Sequence, residues 1–233
     1  MKKYFVLLCA FLFMGFSNVA KANFIANIDV NDFKYGDGGY TSNVQGAQVE
    51  TFDNSELLWT WEPDTSFGIT SDNSDETAAP TYLTDIGDPN SVETAQTGFE
   101  KYVVVPKVGE GSQATVSVSL GGLYNYLGLW WGSIDTYNTL GFYRDGELLG
   151  EITGTQILSL TGGVSGNRTA YGSNRYVNIY TDGLFDRFDM TSSERAFEAD
   201  NIAVARVPEP TTLLLLGFGL LGMGLARVRG IRN

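Results

Sequence analysis

The sequence predicts an all-β body, an antiparallel β-sandwich of jelly-roll type, with an apolar segment at each end of the chain. Three observations lead there. Ala114-Thr115-Val116-Ser117-Val118-Ser119-Leu120 alternates apolar and polar residues with period two, as a half-buried strand does. Asp145-Gly146 separates two apolar runs, residues 140–144 and 147–152, and is the strongest short signal for a hairpin. Between the two ends no stretch sustains the spacing of a helix, and short strands set among Gly, Asn and Asp turns favour a sandwich.

Taken in order, Lys2 and Lys3 precede an apolar run over residues 4–16, and Ala20-Lys21-Ala22 is an A-x-A cleavage site. This predicts a signal peptide over 1–22, handled by the export translocon and signal peptidase, and Asn23 as the mature N-terminus. The one cysteine, Cys9, is lost with it, so the exported body has no internal disulfide. Residues 23–206 then form one extracellular domain, long enough for a substantial core. Residues 64–98 are rich in Asp, Ser, Thr, Gly and Pro and predict long solvated loops. Residues 101–105 are a β-branched strand that Pro106 ends. Residues 175–180 predict a strand running into a second tight turn at Asp182-Gly183. Residues 196–204 predict the closing strand, with Phe197, Ala199, Ile202 and Val204 as core positions.

The charge of the body exceeds that of the whole chain. Setting aside Lys2, Lys3, Lys21, Arg227, Arg229, Arg232 and Glu209 leaves 26 acidic and 9 basic residues in 23–206, a net charge of −17 against −12 overall. Such a surface repels phosphate backbones, which excludes nucleic acid as a partner. It suits a cation-rich exterior or neutral polymers, and it keeps an exported protein soluble.

The chain has no histidine, so Ser-His-Asp and Cys-His nucleophiles and His-ligated metals are absent. Neither a G-x-S-x-G elbow nor a P-loop occurs, and Gly217-Phe218-Gly219-Leu220-Leu221-Gly222 lies in a lipid-like segment with no acidic residue after it. The expectation is a protein that is not an enzyme. The remaining catalytic route is a carboxylate pair, as in glycan hydrolysis, which the sequence cannot nominate among so many acids.

Two constellations point to binding. Tyr124-Asn125-Tyr126-Leu127-Gly128-Leu129-Trp130-Trp131-Gly132-Ser133-Ile134-Asp135-Thr136-Tyr137-Asn138 is the densest aromatic stretch of the body. On a strand Trp130 and Trp131 point to opposite faces. One plugs the core, and the other, unless both sides are covered, makes a sugar platform with Asp135, Tyr137 and Asn138. The competing reading is that both sheets bury aromatics. The second constellation is Val49-Glu50-Thr51-Phe52-Asp53-Asn54 with Asp200-Asn201 in the closing strand. This placement resembles jelly-roll carbohydrate-binding modules, some of which hold a structural calcium there, with Glu50, Asp53 and Asp200 as candidate ligands. The alternative is that Asp200 and Asn201 make turn or edge hydrogen bonds.

The tail is the most specific segment. Pro208-Glu209-Pro210 is followed by an apolar, glycine-studded run over 211–226, then by Arg227, Arg229 and Arg232. At ~1.5 Å per residue the run makes a helix of roughly 24 Å, short against a hydrocarbon core of about 30 Å. The arginines leave the C-terminus in the cytoplasm and the body outside. A plain anchor has no need of the tripeptide. The order of rigid tripeptide, transmembrane helix and basic end resembles the PEP-CTERM sorting signal, residues 207–233 here, recognised by exosortase-type transpeptidases of Gram-negative bacteria.

The run over 127–143, the closing Phe197-Glu198-Ala199-Asp200-Asn201-Ile202 and the tail together resemble exosortase-dependent surface proteins over approximately residues 100–233. That resemblance implies export, a transient stay in the inner membrane, tail removal and display or release at the cell surface, often alongside exopolysaccharide. It implies no catalytic residues, and its clearest transfer is to Pro208, Glu209 and Pro210 as the processing site. The expected function is a non-catalytic β-sandwich that associates with exopolysaccharide in a biofilm matrix. The alternatives are a purely structural surface protein without a ligand, and a carboxylate-dependent glycan hydrolase.

Overall fold

A computed structural model of the chain describes residues 24–36, 39–83, 92–94 and 101–208. The signal peptide expected over 1–22, the helix expected over 211–226, and Glu209, Pro210, Arg227 and Arg229 lie outside these residues. Among the described residues no helix is long and apolar enough to cross a membrane.

The body is antiparallel β-structure. Its short early strands are β1 (Ala26–Asp29), β2 (Lys34–Gly36), β3 (Gly39–Thr41), β4 (Gln48–Glu50), β5 (Thr60–Glu62), β6 (Gly68–Thr70), β7 (Thr81–Leu83) and β8 (Val92–Thr94). The later ones are β9 (Tyr102–Val105), β10 (Ala114–Gly132), β11 (Asn138–Arg144), β12 (Glu147–Thr153), β13 (Arg175–Ser192) and β14 (Phe197–Ala205). The main ladder runs β12-β11-β13-β10-β14-β9-β6, with β1 on β13, β4 on β14 and β5 on β10.

Strands β10 and β13 organise everything else. Residues 114–119 of β10 pair with 187–192 of β13, and residues 126–131 pair with 175–180, with register shifts between 119 and 126. The first half carries β5, β11 and β12; the second carries β1, β14 and, through it, β4 and β9. The shift changes which residues face inward. Val116, Val118 and Leu120 enter the main core before it, and Leu127, Leu129 and Trp131 after it. Phe188 and Met190 from one half of β13 and Val177 and Ile179 from the other join that same core. The ladder is therefore folded over on itself, and its two halves bury one apolar interior between them.

Asp182-Gly183, expected as a tight turn, lies inside β13, at the crossing between the halves, where β13 continues rather than reverses. Asp145-Gly146 does form its hairpin. Both residues have positive φ (50° and 83°), and Arg144 faces Glu147 across the turn.

One helix escaped the sequence reading: α1 (Gly154–Thr161). It is too short to show periodicity, but Thr153 and Gln156 form a capping box, and Gly162 closes it with φ 69°.

The expected core positions of β14 are all buried, and they too switch parity, from Phe197 and Ala199 to Ile202 and Val204. Asn201, at φ 47°, makes that switch as a bulge. β9 is buried at every position because both its faces are covered. Val103 and Val105 enter the main core; Tyr102 and Val104 enter a second cluster with Tyr40, Ala79, Trp130 and Tyr176.

That second cluster corrects the expectation of solvated loops at residues 77–81 alone, while 84–91 and 95–98 of the expected loops lie outside the described residues. Residues 77–81 are buried and lie across the outer face of the sheet as a strap. Asn73 Oδ1 accepts from Ala79 N–H (2.6 Å), Asn174 Oδ1 from Thr81 N–H (3.3 Å), and Arg168 donates to the carbonyls of Ser74 and Asp75. A strap rich in polar side chains can be buried when its backbone groups find such partners.

Candidate functional site

The aromatic stretch does not form an open platform. Trp130 and Trp131 point to opposite faces, as alternation requires, but both indoles are 0 % exposed. Trp131 stacks on Phe197 in the main core, ring centroids 4.3 Å apart and 5° from parallel. Trp130 meets the ring edge of Tyr40 from the β2–β3 hairpin at 5.5 Å and donates its Nε1–H to the Thr81 carbonyl (3.3 Å). The condition stated for a solvent-facing ring was an uncovered side, and the strap and hairpin cover it.

The polar partners expected at the platform are equally engaged. Asp135, 5 % exposed, accepts from Tyr137 Oη (2.6 Å) and Ser165 Oγ (2.8 Å). Burial raises its carboxyl above the usual range, and those two hydrogen bonds partly offset the rise. Tyr137 Oη also lies 2.6 Å from the Arg195 carbonyl. Asn138 donates to the Ala196 carbonyl (3.0 Å) and accepts from Ser192 Oγ (2.6 Å). These side chains tie the segment before β11 to the start of β14, and the three are brought together as a brace.

The acids expected as calcium ligands each have a protein partner of their own, although β4 and β14, which carry Glu50 and Asp200, are paired. Glu50, 1 % exposed, accepts the N–H groups of Phe52 (3.0 Å) and Leu58 (2.7 Å) and so pins its own loop. Asp53 Oδ1 accepts from Lys101 N–H (3.1 Å). Asp200 faces Trp130 across the ladder and accepts from Asn201 N–H (2.6 Å) at the bulge, the turn-type bond weighed as its alternative. Among the described residues no group of three or more Asp, Glu, Cys or His side chains is placed to hold a metal.

A carboxylate that sequence reasoning passed over is strongly perturbed. Glu198 sits between Phe197 and Ala199, where alternation points it away from the main core and toward solvent. The strap closes over it. Its carboxylate accepts from Ala78 N–H (3.0 Å) and Ser133 Oγ (3.1 Å), and burial pushes its pKa up to about 7. Asp135 adds a smaller repulsion of the same sign. Only the packing of remote residues 77–79 onto β14 reveals it.

At the far end of β14 the chain leaves the body. The side chain of Asn125, at the bend of β10, grips Val207: Nδ2 donates to its carbonyl (2.8 Å) and Oδ1 accepts its N–H (2.7 Å). Beside it is a cleft of ≈ 420 Å³ lined by Asn125, Asp182, Leu184, Arg206, Val207 and Pro208. The folded body thus runs without a linker into the tripeptide. Residues 206–229 match the family model described as the PEP-CTERM protein-sorting motif.

The chain carries a PEP-CTERM sorting signal. The motif implies processing by exosortase, and with it an exosortase-dependent exported surface protein that passes through a membrane during sorting. The match begins one residue after β14 ends, so the PEP-CTERM signal and the β-sheet body share a boundary. No curated protein matches the chain.

Proposed function

We propose that this PEP-CTERM protein is a structural component of the cell surface or extracellular matrix. Its non-catalytic β-sandwich, of jelly-roll kind, is displayed or released after tail removal and has no glycan site at its aromatic cluster. The observation that carries this reading is the complete burial of both Trp130 and Trp131, each covered on its own side of the sheet. A stacking platform needs an accessible ring face, and uncovering Trp130 requires the strap and the β2–β3 hairpin to leave.

The test is binding of the processed protein, purified from producing cells, to those cells' own extracellular polysaccharide, with calcium and with chelator. The expected result is no saturable binding in either condition. Saturable binding that Trp130→Ala abolishes would overturn the structural reading in favour of exopolysaccharide association. Loss of that binding in chelator would add a calcium that holds the site.

The hydrolase alternative has one observation behind it, a buried Glu198 carboxyl whose pKa is raised, mainly by burial and in small part by Asp135. Both carboxylates are buried and already hydrogen-bonded within the brace and strap, which supports the non-catalytic reading over this one.

A further inference from the structure

The two folded ends of the body meet at one place. Ile25 N–H donates to Asp182 Oδ1 (3.2 Å), Asp182 N–H donates to the Ile25 carbonyl (3.1 Å), and Asp182 lines the cleft that Pro208 borders. At the same spot Asn125 holds both backbone polar groups of Val207, two positions beyond the last strand, as a neighbouring strand would.

The length of chain that follows gives this grip a consequence, which rests on the sorting reading above. Three residues, Pro208, Glu209 and Pro210, separate Val207 from the apolar run that begins at Thr211. Fully extended they span about 10 Å. The headgroup layer takes up roughly 5–8 Å of that. A body of this length has a radius of gyration of about 16 Å, so the tether is shorter than the object it holds. While Asn125 grips Val207, the chain length available between the body and the membrane is no more than this, which leaves little slack for a processing enzyme to take hold. Releasing Arg206 and Val207 would add about 7 Å of reach.

We propose that Asn125 is a positioning residue for sorting. Its side chain locks the tail to the body, and the lock must open before exosortase engages Pro208-Glu209-Pro210. The folded sandwich thereby sets its own processing rate, and the surface around Asn125, Asp182, Leu184 and Pro208 is the face turned to the membrane and to the enzyme.

The experiment is a pulse-chase of tail loss from the full chain in producing cells, comparing wild type, Asn125→Ala and a Gly-Ser-Gly-Ser insertion between Val207 and Pro208. Losing two hydrogen bonds raises the open population by roughly tenfold, so Asn125→Ala should lose its tail several-fold faster. The insertion should be as fast with Asn125 intact, and adding Asn125→Ala to it should gain nothing. Unchanged or slower tail loss in Asn125→Ala would overturn the proposal. So would an inserted chain processed no faster than wild type, a result that does not depend on how well the Asn125 variant folds. Failure of the sorting reading itself looks different: the wild-type tail would then persist, or would be lost equally without exosortase.

Discussion

Glu198 is the residue whose chemistry the fold changes most. A carboxyl with an ordinary pKa near 4.5 that rises to about 7 in the folded protein is bound to its proton more tightly when folded. Folding therefore gains from it below pH 4.5 and loses that gain as pH climbs through 7. The full difference is about 3 kcal/mol for a shift of this size. Asp135, raised by burial, acts with the same sign. The processed protein should be more resistant to urea at pH 5 than at pH 8. Glu198→Gln, which keeps an acceptor for Ala78 N–H, should flatten that slope and raise the pH 8 midpoint; an unchanged slope would show that burial of this carboxyl has been misjudged. Gly39 is the second residue where a small change acts strongly. Its φ of 134° is outside the range of L side chains, and a Cβ there would run into the Trp130 ring. Gly39→Ala should cost about 2 kcal/mol or more, read as a lower urea midpoint with near-ultraviolet signals altered at tryptophan.

Among the elements, α1 shows how short pieces hold their shape. Eight residues are too few to be helical alone, so the capping box carries much of the local preference. Thr153→Ala should lower stability by about 1 kcal/mol, seen as a modest drop in the urea midpoint without loss of the fold. The box was legible in Thr153-Gly154-Thr155-Gln156, whereas a search for periodicity passed over it, because two turns do not complete a pattern. The Asp145-Gly146 hairpin was legible for the opposite reason: its signal is complete within four residues. Asp182-Gly183 carried a similar local signal and became a crossing inside β13. Ile25 and the partnered strands on both sides leave that segment extended, so tertiary pairing overrode turn propensity. The strap over 77–81 was read as solvated from its composition; its amides are bonded to Asn73, Asn174 and Glu198, partners that are mostly remote in sequence.

At the scale of the whole molecule, the sorting motif starts at Arg206, directly after β14, and the lock is at its second residue, Val207. Replacing Pro208-Glu209-Pro210 by three alanines should leave the chain in the inner membrane with its tail intact, checked by fractionation and the mass of the mature protein. Normal tail loss in that variant would mean that the tripeptide is not the processing site.

By itself the sequence determined the all-β character, the Asp145-Gly146 hairpin, the inward positions of β14 and the sorting signal. Each is written within a few neighbouring residues: an alternation, a turn dipeptide, a tripeptide before an apolar run. The tertiary structure alone decided what lies outside the sheet at Trp130, where Glu198 ends up, and that Asn125 holds Val207. Alternation tells which side chains share a face, but whether that face meets water depends on segments some fifty to a hundred residues away folding across it. Those segments, 33–36 with 39–41 and 77–81, carry no pattern of their own that says what they will cover.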